Sequence, residues 1–96
     1  MKNSNTVTLK EALTELIETY RLKSKLHQTT IRATWEETMG PTIAGYTKEI
    51  SIMGKQLHIQ IESAPLRQEL SYAKDKIRQL MNESLGENFI QEVIIR

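Results

Sequence analysis

The change of hydrophobic period between Lys48 and Ser63 constrains this chain more than any other feature. Before it, apolar residues recur every three or four positions. Within it they alternate: Ile50 and Ile52 against Glu49 and Ser51, then Leu57, Ile59 and Ile61 against His58, Gln60 and Glu62. Alternation is the pattern of strands with one buried face. A two-residue turn at Gly54-Lys55 sets Ile52 opposite Leu57 and Ile50 opposite Ile59, so every apolar residue falls on one side of a hairpin. Sliding one strand by a single residue would turn its whole apolar set to water, so the register is strongly specified.

The flanking segments read as helices. Thr8 to Glu11 is T-x-x-E, a capping box that predicts a helix start. Leu9, Leu13, Leu16, Ile17 and Tyr20 then follow at helical spacing, which predicts a helix to Tyr20 or Leu22 with that stripe buried and Glu11, Glu15 and Glu18 on its other face. Arg21 to Arg32 carries four positive side chains and no acid, and a second helix emerges from it with Ile31, Trp35 and Thr38 along one face. Gly40 followed by Pro41 is its expected stop, and Pro41 to Tyr46 reads as one short helical turn. After the hairpin, Ser63 is placed to cap a long helix opening with Ala64-Pro65. Its stripe is Leu66, Leu70, Ala73, Ile77 and Leu80, down to Leu85, and Gly86 ends it before a last strand, Phe89 to Ile95.

The order is helix, helix, strand, strand, long helix, strand. That predicts an α+β domain with a three-stranded sheet covered by helices on one face, the third strand lying antiparallel beside the first. At 96 residues and 39% hydrophobic, the chain has room for one such core and not two, with residues 1–6 as a flexible lead-in.

Thirteen Lys and Arg against 12 Asp and Glu leave a formal net charge of +1, so bulk charge says nothing about nucleic acid and only local clusters can. The absence of cysteine removes disulfides and thiolate chemistry. With no apolar signal region after Met1 and no run near the roughly 18 apolar residues of a membrane span, a soluble cytoplasmic protein is expected. No nucleophile with a base, no carboxylate pair and no His-x-x-His spacing is present, so neither an enzyme nor a bound metal, cofactor or small-molecule substrate is expected. Gly40 to Gly45 lacks the Lys-Ser/Thr of a phosphate loop, and it follows a helix where a strand is required.

Two surfaces remain. Trp35, the only tryptophan, is either a core anchor in phase with Ile31 or a partly exposed ring for stacking or docking. Arg67, Lys74 and Arg78 fall with Ser71 on one line of the long helix, either an ordinary solvated flank or a phosphate-tracking ridge. Lys23, Lys25 and Arg32 would join that ridge if the first helices pack near it, and Tyr46 and Tyr72 are the candidate exposed stackers.

Trp35 with Gly40, Ile43 with Ala44, the run Gly54, Leu57, Ile59, Ile61 and Ser63, then Glu69 with Leu70, and finally Leu85 with Gly86 stand in the order and spacing of a known bacterial pattern. The chain resembles the DciA family over about residues 9 to 96. Trp35, Gly40, Gly54, Leu57, Leu70 and Gly86 fill signature positions, for which a structural role is expected. The resemblance implies a KH-like fold and a non-enzymatic replication accessory module. It implies as partner a replicative helicase of the DnaB type, which such proteins help place on DNA. Single-stranded DNA is a further expected partner, with Lys23, Lys25, Arg32, Arg67, Lys74 and Arg78, read from the residues themselves, as the candidate nucleic-acid or partner-binding side chains. Gly86 to Phe89 is not the G-x-x-G by which KH domains clamp a nucleic-acid backbone. A general single-strand RNA- or DNA-binding module is the alternative. Many members add a long flexible tail, whereas the sequence here ends on its last strand, so contact through the folded domain is expected.

Overall fold

The hairpin forms in the register that its alternation requires. In the computed structural model, which describes residues 2–96 and the side chains from residue 8 onward, β1 (Thr47–Met53) pairs antiparallel with β2 (Gln56–Ile61). Ile50 meets Ile59 and Ile52 meets Leu57 across the Gly54-Lys55 turn, where Gly54 takes φ 63°. Ile50, Ile52, Leu57, Ile59 and Ile61 are all buried. The register shifts between Thr47 and Glu49, a bulge that turns the Thr47 side chain into the core.

Strand β3 (Glu92–Ile95) lies beside β2 and runs parallel to it, Leu57 facing Val93 and Ile59 facing Ile95. This corrects the expected antiparallel place beside β1, and the strand is shorter than Phe89 to Ile95. The chain leaves β2 at one end of the sheet and is carried back along it by two helices, so it re-enters at the hairpin tip. There the N–H of Gln91 donates to the Lys55 carbonyl at 2.8 Å. Phe89 and Ile90 are buried but outside the ladder, because the buried Asn82 amide holds Ile90 at both backbone groups, each at 2.8 Å. The result is an α+β fold with a three-stranded mixed sheet.

The N-terminal helix differs most from expectation. A single α1 spans Lys2–Gly45 where two helices were predicted, and Thr8 sits inside it, not at its start. Between Tyr20 and Arg32 there is no glycine or proline, and Leu, Lys, Arg and Gln propagate a helix readily. The interruption comes at Gly40, whose φ of 85° and ψ of 169° belong to glycine alone, with Pro41 opening the final turn. The predicted flexible segment 1–6 lies outside the side chains described.

Burial of the first stripe is also corrected. Leu9, Leu13, Leu16 and Ile17 are 50–65% exposed. Among the described residues the body reaches about one turn beyond Tyr20, whose ring stacks on Phe89 at 5.6 Å, and from there the helix continues as an arm. The radius of gyration, 17.2 Å, far exceeds the roughly 12.5 Å of a compact chain this long, and the molecule measures 62 × 21 × 20 Å.

The predicted long helix is two, α2 (Ala64–Ser71) and α3 (Lys74–Leu85). Ser63 caps α2 as expected, its hydroxyl accepting from the Leu66 N–H at 3.3 Å. The break has a local cause: the Ser71 hydroxyl takes the Arg67 carbonyl at 2.8 Å, while the Tyr72 and Ala73 N–H groups bond three residues back. Past the break the buried face is Ile77, Met81 and Asn82, with Leu80 half-buried. Gly86, at φ 81°, closes α3 as predicted.

Trp35 is fully buried, which settles the choice for core anchoring. Its indole N–H donates to the Thr47 hydroxyl at 2.9 Å, and that hydroxyl donates to the Ile43 carbonyl at 2.8 Å. Trp35→Ala is expected to destabilise the fold by about 3–5 kcal/mol, read by denaturant unfolding followed by circular dichroism. An unchanged midpoint would place the ring outside the core.

Candidate partner and nucleic-acid interface

The six cations singled out by sequence sit in three different settings. Arg32, on α1, donates through Nη2 to the Thr47 carbonyl at 2.9 Å and pairs with Glu36 at 3.5 Å. Arg67, in the first turns of α2, donates through Nη1 to the Ile61 carbonyl at 2.7 Å and is half-buried. Because Thr47 and Ile61 are paired across the hairpin, these two arginines meet at one end of the sheet. Arg96 joins them there, its carbonyl accepting from the Ile61 N–H at 2.8 Å. Sequence reasoning passed over Arg96, which lies far along the chain from Arg32 and is bonded to Ile61 by the pairing of β3 with β2.

Lys23 lies toward the opposite end, 3.4 Å from Glu87. Arg78 is engaged by Asp75 through Nε at 3.1 Å and Nη2 at 2.9 Å. Only Lys25 and Lys74 of the six are exposed without an ion pair among the described residues. The line through Arg67, Ser71, Lys74 and Arg78 required an unbroken helix, and the break at Tyr72 and Ala73 divides it. Tyr46 and Tyr72 are exposed, as expected of stackers, at 49% and 75%.

Each signature residue has a visible structural task. Trp35, Leu57 and Leu70 are core, while Gly40, Gly54 and Gly86 take positive φ at the α1 kink, the hairpin turn and the α3 cap. The stretch Gly40 to Gly45 is that kink and the last turn of α1. His58 stands opposite Ser51 and Ile94, its Nε2 donating to Gln56 at 3.1 Å. Among the described residues no group of three or more His, Cys, Asp or Glu is placed to hold a metal ion, and no helix is long and apolar enough to cross a membrane.

One polar cluster escaped sequence reasoning because Glu87 lies 60 or more positions from its partners His27 and Lys23. His27, 13% exposed, donates to Glu87 at 3.0 Å and sets its ring edge on Phe89 at 4.8 Å. The bond from His27, joined by the charge of Lys23 and opposed by partial desolvation, holds the Glu87 carboxyl below the usual carboxylate range. A carboxylate with a lowered folded pKa stabilises the fold fully above its unfolded value, near 4.5, and loses that contribution as pH falls through the lower folded value. Glu87→Gln should therefore lower the melting temperature most near neutral pH, the gap to wild type closing as the pH drops below 4.5. Parallel melting curves at all pH values would show that Glu87 contributes nothing through its charge.

Compared with known families, residues 8–95 match the model described as "Dna[CI] antecedent, DciA". No curated protein and no solved structure matches the chain, so the KH-like comparison stays an implication of the resemblance.

Proposed function

Because the chain belongs to the DciA family, which is associated with the DnaB-type replicative helicase and supports a replication accessory role, we propose that it binds the replicative helicase of its own organism and helps place it on DNA, without hydrolysing nucleotide. The match over residues 8–95 carries this reading, since it takes in all or nearly all of every element of the fold. Contact is made by the folded domain, at the basic stretch of α1 around Lys23, Lys25 and Arg32 or at the outer flank of α2 and α3. These surfaces are small and mixed in charge, which fits a transient interface of micromolar affinity, about −8 kcal/mol.

Purified helicase and this protein, mixed at tens of micromolar and followed by sedimentation or calorimetry, are expected to form a complex. Failure to associate, with and without nucleotide and single-stranded DNA, would overturn the helicase reading.

Single-strand binding is the second reading, favoured by the exposed Lys25 and Lys74. Lys23, Arg32, Arg67 and Arg78 are already bonded within the protein, so a phosphate must compete for them. With two free cations, the slope of log affinity against log salt should be about −1.4. Lys25→Glu with Lys74→Glu should abolish oligonucleotide binding at low salt while leaving the melting temperature unchanged. A double variant that binds like wild type would remove both lysines from the interface.

A further inference from the structure

The arm of α1 carries an apolar stripe that is largely uncovered among the described residues. At 100° per residue, Leu9, Leu13, Leu16, Ile17 and Tyr20 fall in the same sector, about 100° wide, as His27, Ile31 and Trp35, which face the body. The core-facing stripe of α1 therefore runs on past the core. The 11 residues from Leu9 to Thr19 extend it by about 17 Å, and its leucines there are at least half exposed.

Charge surrounds this stripe unevenly. Lys10 and Arg21 border one margin, and at its base Lys55 from the hairpin tip stands 5.7 Å from the Tyr20 ring centre. Glu11, Glu15 and Glu18 lie on the opposite face. Where arm and body meet, Leu16, Thr19, Tyr20, Lys55 and Phe89, with the Lys23–Glu87 ion pair, line a cleft of about 180 Å³. From the cationic rim and the helical run of the stripe, we infer that the arm is a docking face for one amphipathic helix of another protein, whose apolar seam is bordered by carboxylates.

Charge also decides against the other occupants. Two arms laid against each other would bring Lys10 and Arg21, with no acid, to the margin of their shared seam, and like charges there oppose pairing. Helices that lie in an anionic membrane surface carry Lys and Arg on their polar face, whereas Glu11, Glu15 and Glu18 make that face of the arm acidic. The inference is independent of which protein supplies the helix.

Two synthetic helical peptides of about three heptads test it, both with leucine at the a and d positions, one with glutamate and one with lysine at e and g. Their binding to the full chain is read by fluorescence anisotropy at low salt. The glutamate peptide is expected to bind about tenfold or more tightly than the lysine peptide, and Lys10→Glu with Arg21→Glu should reverse the preference. Leu13→Ala with Leu16→Ala should lose the binding without shifting the melting curve of Trp35 fluorescence, alanine keeping the arm helical. Equal binding of both peptides, no binding, or binding that survives the double alanine variant overturns the inference. Sedimentation of the chain alone as a dimer dispersed by those alanines would seat a second copy on the stripe, and co-sedimentation with anionic vesicles would seat a membrane; each also overturns it.

Discussion

The hydrogen-bonded run from Trp35 through Thr47 to Ile43 fastens the helical half of the molecule to its sheet. It closes within 12 residues of chain, because the Gly40 kink and the last turn of α1 bring the start of β1 back beneath the indole. All polar atoms in it are paired, so a large ring with one N–H can sit fully buried without a desolvation penalty. Arg32 adds a second fastening at the same residue by donating to the Thr47 carbonyl. The β-bulge at Thr47 makes both contacts possible: it turns the threonine side chain inward and leaves the carbonyl open to the guanidinium.

Seen from that junction, the arginines at the sheet end have structural work before any functional one. Arg32 and Arg67 each place a guanidinium N–H on the carbonyl of a terminal strand residue, Thr47 and Ile61, where the ladder stops. A half-buried carbonyl left without a donor costs about 1–3 kcal/mol, more than a surface ion pair contributes. These two side chains are therefore poorly available to phosphate, whereas Lys25 and Lys74 are available at no structural cost. Spacing along a helix reveals which charges share a line but not which of them the backbone has already engaged.

The same distinction explains how much of the fold was legible. Ser63, Gly86, the Gly54-Lys55 turn, the alternating strands and the Gly40-Pro41 break are local signals, and each acts where it was read. Trp35 was legible as core by its phase with Ile31. Apart from the break in the expected long helix, which is local, the errors needed information from outside the segment. Nothing local says that α1 will outrun the body, since its stripe has the same period with or without a partner. The break in the expected long helix depends on a serine hydroxyl and a 3₁₀-like turn, with neither glycine nor proline to announce it. The place of β3 was decided by Lys55 and Asn82, 36 and 8 residues from their partners in Gln91 and Ile90. Of the candidate site, the charges were legible and their partners were not: Glu87 meets Lys23 and His27 only when α1 crosses the loop before β3.

Stability must be distributed unevenly along α1. Its residues from Ile31 to Ala44 share the core, and its middle is held to the loop before β3 by Tyr20 on Phe89 and by His27 and Lys23 on Glu87. From Leu9 to Thr19 no ion pair or hydrogen bond to the body is seen among the described residues, so the helix there rests mainly on local bonds and side-chain propensities, which for an arm of this length are marginal in water. The arm is extended by a rooted helix, however, and so escapes the nucleation penalty that an isolated segment would meet. Ordering it against a docked surface then requires only propagation from Tyr20 outward, and because no glycine or proline interrupts the rod before Gly40, a contact at Leu13 is held in fixed geometry to Trp35 and the sheet.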